Sequence, residues 1–187
     1  MNFVKGVAIK TFTRIIEQEH KEEGLKLWMD TLAVDSRKIF SESISNKQWY
    51  PLEEAIIAPT ATYCMLFHNF DFHGAWIMGR HSAEYGLKGI YKFFIRMGSA
   101  EFLVKKAGEI LPSYYKQGDI AIVELKRTMT VMEITNFPNI NKIIEFRICG
   151  WMERALEICG VSNVKVELIN SIEKTMSITR IQANWTP

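Results

Sequence analysis

Apolar residues recur at every third or fourth position through most of the first hundred residues, and at every second position in two later stretches. Val4, Val7, Ala8, Phe12, Ile15 and Ile16 form the first run and predict an amphipathic helix. Gly24 interrupts a charged patch, and Leu25, Leu27, Trp28 and Leu32 predict a second helix beyond it. A short third helix is expected from Asp35 or Ser36 to "SESISNK". "WYPLEEAIIAPTATYCMLFHNF" predicts a helix opening at Pro51. Proline suits a first helical turn, and Glu53 and Glu54 complement the positive end of the helix dipole. Pro59 is placed to kink or divide that helix. Ile77, Tyr85, Ile90, Phe93, Phe94 and Met97 predict a long helix from Trp76 to Met97. Ser99 is a suitable cap for the helix "AEFLVKKAGEIL".

"LPSYYKQGD" carries turn residues, and beyond it the period changes. "DIAIVELKRTMTVMEIT" predicts a β-hairpin turning at "LKRT". "INKIIEFRICGWMERALEICG" then predicts a helix with one apolar stripe, which includes Ile144, Ile148, Trp151, Met152 and Leu156. Gly160 fits the position just past its end. "VKVELI" and "MSITRIQANW" predict a second hairpin around "NSIEKT". Two hairpins imply antiparallel pairing, and the amphipathic helix between them must cover one face of the sheet they build. The expected class is α+β: an N-terminal helical half followed by a β-β-α-β-β four-stranded antiparallel sheet. A single domain over residues 1–187 is expected, helical to about 117 and sheet plus helix from about 118.

Composition narrows the function classes. Of the 187 residues 48% are hydrophobic, enough for a core without disulfide or metal staples. Lys and Arg number 23 against 21 Asp and Glu, so the chain has no basic surplus pointing to nucleic acid or an anionic membrane. The N-terminal segment lacks the apolar core of a signal peptide, and no apolar run is long enough for a transmembrane helix. Three cysteines are too few for a disulfide framework. Cys149 and Cys159 are ten residues apart on one predicted helix, or ~15 Å, beyond disulfide reach. Reduced cysteines make a cytoplasmic location the expectation.

Several motifs together carry a family resemblance: "FVKG", "WYP", "GRHSAEYGLKGIYKFF", "GSAEFLVKKAGEILPSYY", "GWMERALEICG", and a tryptophan ending the last strand. The chain resembles a group of uncharacterised bacterial paralogues of myxobacterial type. That group is similar to a superfamily holding the haem-nitric-oxide-binding (H-NOX) sensor domain, the 4-vinyl-reductase-type ligand domain and the vesicle-tethering TRAPP subunits. The resemblance implies a helical and sheet shell around an apolar pocket, used for haem, small aromatics or an acyl chain, or closed in members that act through protein contacts.

The segment "HNFDFHGAWIMGRH" holds three of the four histidines. His68 and His73 are five residues apart, ~140° around a helix, and so off any shared face. His73 and His81 are eight apart, ~12 Å along a helix, too far for one ion. Only if Gly74 lies in a loop could His68, Asp71 and His73 converge, and this triplet is the remaining metal candidate. Cys64 has His68 four residues on, but no orienting residue or oxyanion site for a nucleophile is visible. Haem-binding relatives hold the propionates with a Tyr-x-Ser-x-Arg motif. The nearest match, Tyr91 with Arg96, has the wrong spacing and lacks the serine, so no haem and no other cofactor is expected.

Glycines show neither a dinucleotide fingerprint nor a phosphate loop. Gly86, Gly89 and Gly150 fall within predicted helices, where close helix packing is their expected use. The aromatic residues read first as ordinary core, and the alternative is an apolar pocket with a few polar handles. Tyr85, Tyr91, Phe94, Arg96, Arg147 and Trp151 are the candidate pocket residues. Arg147 stands beside the apolar stripe of its helix, where a charge needs a partner from protein or ligand. A non-enzymatic ligand-binding or sensory domain is the leading expectation. The alternatives are an interaction module dimerising through its N-terminal helices, and a metal-dependent enzyme built on His68, Asp71 and His73.

Overall fold

The computed structural model describes residues 1–90, 100–172 and 178–187. The chain opens not with a helix but with a short strand, β1 (Phe3–Lys5), paired antiparallel with β2 (Trp49–Pro51) so that Val4 faces Tyr50. A 3-10 turn at Gly6–Ala8 follows, and α1 begins only at Phe12. The apolar spacing from Val4 to Phe12 therefore spans three elements, each too short for a period to reveal.

Helix α1 runs Phe12–Thr31 and α2 runs Val34–Ser41. The interruption expected at Gly24 falls instead at Lys21, whose φ of 62° lies in the left-handed region. Gly24 stays helical, and a Cβ there would run into the His20 side chain.

Pro51 ends β2 rather than opening a helix. A wide π-helical turn spans Glu53–Ile57, with the Ala58 N–H donating to the Glu53 carbonyl. Helix α3 (Ala58–Phe67) starts at the end of that turn, with Pro59 in its first turn. Proline has no N–H to offer the turn before it, so it fits the start of a fresh helix.

Helix α4 spans His73–Ile90, α5 Ala100–Lys105 and α6 Ala107–Tyr114. "AEFLVKKAGEIL" is thus divided at Lys106. The expected continuation of α4 to Met97 and the Ser99 cap lie outside the described residues.

The C-terminal half follows the expected order. Strands β3 (Asp119–Lys126) and β4 (Met129–Thr135) form the first hairpin, and helix α7 runs Lys142–Ile158. Strands β5 (Ser162–Asn170) and β6 (Thr179–Thr186) complete a four-stranded antiparallel sheet in the order β3-β4-β6-β5. The Asn141 side chain caps α7 by accepting from the Ile144 N–H, and Gly160, just past its end, has φ 91°. The inner pair β4–β6 keeps an unbroken register from Met129↔Asn184 to Ile134↔Thr179. Both outer strands break theirs, β3 between Ile122 and Glu124, β5 near each of its ends.

Two glycines set the central helix crossing. A Cβ at Gly79 of α4 would meet the Arg147 carbonyl, and a Cβ at Gly150 of α7 would meet the Trp76 carbonyl. Arg80, next to Gly79, then bonds Glu153 and Glu157 of α7. Glu145 ties the same helix to the sheet. Its buried carboxyl accepts from Ser171 Oγ at 2.7 Å, the Ile172 N–H at 3.0 Å, and Thr179 Oγ1.

The N-terminus is stitched to the segment after α6. The buried Asn2 side chain exchanges hydrogen bonds with the Gln117 backbone, and Val4 bridges Tyr115. Among the described residues no helix is long and apolar enough to cross a membrane.

Candidate functional site

A cavity of about 70 Å³ lies between α4, the α5–α6 pair, α7 and the sheet. Its walls are apolar almost throughout. Val104 comes from α5, Ile110 and Tyr114 from α6, Met132 from β4, and Ile148 and Met152 from α7. Gly79 and Ser82 of α4 form part of the wall, and the small residue at 79 is what lets α4 approach α7 there. One water needs roughly 10–15 Å³, so the space takes a molecule of several heavy atoms.

Two of the sequence candidates border this cavity, Arg147 and Trp151, four residues apart on α7 and so on one face of it. Tyr85 does not. Its hydroxyl is 3.1 Å from the Asn46 amide nitrogen, and Tyr85 is not part of the described wall. Tyr91, Phe94 and Arg96 lie outside the described residues. Tyr114 and Tyr115, which do border the cavity, were visible only as members of an aromatic-rich stretch. The wall residues from α5 and α6 carried no signal beyond ordinary helical periodicity.

Arg147 is 2% exposed. Its guanidinium stands 4.9 Å over the Phe12 ring, with Nη2 3.1 Å from the Ala8 carbonyl and Nη1 3.3 Å from Thr60 Oγ1. Nε has no hydrogen-bond partner, and no described carboxylate forms an ion pair with the group. Burial pulls its pKa down to about 10, with the neighbouring Tyr115 phenol acting against that fall. The side chain is therefore still a cation at neutral pH, surrounded by neutral groups. Trp151 packs edge-on to Tyr114, with ring centroids 5.7 Å apart, and its Nε1 is also buried without a partner.

The histidine segment makes a different arrangement. Asp71 Oδ1 accepts from the His73 N–H at 2.8 Å and so closes the turn into α4. The His68 and His73 rings stand 6.3 Å apart. Among the described residues no three His, Cys, Asp or Glu side chains are placed to hold a metal ion. The loop at Gly74 that a shared site required is absent, because Gly74 is already helical. Its closeness has another use: a Cβ there would strike both Cys64 Sγ and the His68 ring. Burial pushes the Cys64 thiol up to about 11, so it is protonated at neutral pH and a poor nucleophile. Burial, then the nearby His73, lowers the pKa of His68.

Compared with family models and with curated proteins, the chain matches none. Solved structures do match it over nearly its whole length. An H-NOX protein from S. oneidensis, in the Fe(II)NO ligation state, has a TM-score of 0.76 at 8% identity, covering 98% of this chain and 99% of that one. The chain has the H-NOX fold. The H-NOX protein from K. algicida, Fe(II) unliganded, gives 0.69 at 10% identity, covering 98% and 97%. An oxygen-binding H-NOX domain related to soluble guanylate cyclases gives 0.67 at 10%, covering 98% and 95%. At such identities the likeness is one of architecture, and the side chains decide what the architecture holds.

Haem can be tested against those side chains. Haem iron takes an axial histidine, cysteine, methionine or tyrosine. The described cavity wall holds no histidine and no cysteine, but it does hold Met132, Met152, Tyr114 and Tyr115. None of the four histidines is in that wall: His20 stacks on Phe67 at 3.8 Å, the His68 and His73 rings stand 6.3 Å apart, His81 lies 3.5 Å from Glu19, and Nε2 of His20 and of His68 is buried without a hydrogen-bond partner. The described wall therefore does not fit a histidine-ligated haem, and the cavity falls short of the roughly 300–1,000 Å³ of a drug-sized ligand pocket.

Proposed function

We propose that the chain is a non-enzymatic ligand-binding domain, sensory or regulatory, acting as one unit over residues 1–187, whose apolar cavity takes a small molecule other than haem. The observation that carries this reading is the cavity itself: an apolar space bordered by one buried, incompletely partnered cation, Arg147. The shared architecture with H-NOX domains supports a binding role, and the absence of histidine from the described wall speaks only against a histidine-ligated haem. A cytoplasmic setting accords with three free cysteines.

Titration with haemin is the first test. No stoichiometric Soret band is expected. A band saturating at one haem per chain would overturn the haem-free part of the reading. Ligand-observed NMR with 1-hexanol tests the cavity, and binding should vanish in Ala107→Leu, which adds a branched side chain to the wall.

The alternative, an interaction module dimerising through its N-terminal helices, has a narrower basis. Leu27 and Val34 are the large exposed apolar side chains on α1 and α2, and isolated surface apolar residues are ordinary. Light scattering at increasing concentration tests it, with a dimer lost on Leu27→Glu as the supporting outcome.

A further inference from the structure

Two buried N–H groups on one face of α7, Arg147 Nε and Trp151 Nε1, have no acceptor, and both residues border the same apolar cavity. Buried donors without acceptors are rare in folded proteins, because each costs the full desolvation of its group. A buried guanidinium normally meets a carboxylate. Arg147 meets the Ala8 carbonyl, the Thr60 and Tyr115 hydroxyls and the Phe12 ring instead. What is missing from this set is an anion with acceptor oxygens. What surrounds it is apolar wall.

We propose that the cavity takes a small monocarboxylic acid, its short apolar body among α5, α6 and α7 and its carboxylate against Arg147 and Trp151. This rests on the reading of the cavity as a ligand site and adds the chemical class of the ligand. The carboxylate supplies acceptors to both orphan donors and a charge opposite to that of Arg147. The volume sets an upper bound of about four to six carbons for the body. Both N–H groups are covered by the wall in this conformation. The head group therefore reaches them through a side-chain rotation, a change common at binding sites. Ser82, also in the wall, is the neutral hydroxyl placed for the second carboxylate oxygen.

The experiment compares hexanoate with 1-hexanol, by ligand-observed NMR and tryptophan fluorescence, on the full chain and on Arg147→Met and Ala107→Leu. Hexanoate should bind the unaltered chain about tenfold or more tightly than 1-hexanol. Arg147→Met should remove that preference while retaining 1-hexanol, and Ala107→Leu should remove both ligands. Equal binding of the two by the unaltered chain would overturn the carboxylate assignment and leave the cavity reading standing. Hexanoate binding that survives Ala107→Leu would place the acid elsewhere and also overturn it. Binding of neither would overturn both readings. The comparison on the unaltered chain decides by itself if Arg147→Met does not fold.

Discussion

Gly79 and Gly150 stand on facing helices, each directly beneath a carbonyl of the other helix, those of Arg147 and Trp76. The contact fixes how close α4 and α7 lie, and so fixes the wall of the cavity between them. Gly150→Ala places a methyl group on the Trp76 carbonyl. Overpacking costs about 1–3 kcal/mol, against a helix-propensity gain of up to about 1 kcal/mol, so the net effect is destabilising. Urea denaturation should show a lower midpoint. A midpoint unchanged or raised would mean that the two helices part without cost.

Ala107→Leu should behave in the opposite way. Its side chain enters existing space, so the melting temperature should hold or rise while ligand binding is lost. Thermal melts with and without 1-hexanol check both halves. A large fall in stability would show that the wall does not yield to the added volume.

Glu145 accepts three hydrogen bonds from the β5–β6 side of the sheet. Glu145→Gln keeps one acceptor oxygen for the Ile172 N–H and Thr179 Oγ1 but sets an NH2 group against Ser171 Oγ, which must then turn its hydroxyl to accept in a buried, already crowded site. The expected loss is about 1–3 kcal/mol, read as an earlier denaturation midpoint with an unchanged slope. Retention of full stability would mean that the donors find other partners.

His68 gives the stability a pH dependence. Its folded pKa is lowered, first by burial, from an ordinary value near 6.5. Above that value both folded and unfolded chains hold it neutral, and it contributes no penalty. As the pH falls below about 6.5 the unfolded chain takes up a proton that the folded chain resists, so stability declines. His68→Phe keeps a ring beside Tyr63 and should flatten this part of the profile. An identical profile in the variant would locate the titration elsewhere.

The sheet and α7 were legible because their signals are local. Two alternating runs, a turn and a long apolar stripe with a glycine just past its end determine them residue by residue, while the Asn141 cap came only with the structure. The N-terminal third was less so. Phe3–Lys5 is a strand only because Trp49–Pro51 lies beside it, a partner more than forty residues away in sequence. The break at Lys21 sits on a residue type that usually continues a helix, while the glycine that looked like the break serves a contact with His20. At the site, Arg147 could be singled out because a charge beside an apolar stripe conflicts with its surroundings. Tyr85 looked equivalent by composition, yet its hydroxyl meets Asn46, a neighbour no spacing rule supplies.

The register breaks in β3 and β5 bear on how this chain meets copies of itself. Val123, 53% exposed, sits at the break in β3, and an apolar outer strand of that kind is a ready template for a further strand. The bulge twists the strand and interrupts its row of free backbone groups. β5, the other outer strand, is interrupted near each of its ends. Neither side of the sheet offers a continuous ladder, so fibril-like stacking through sheet extension is opposed at both ends.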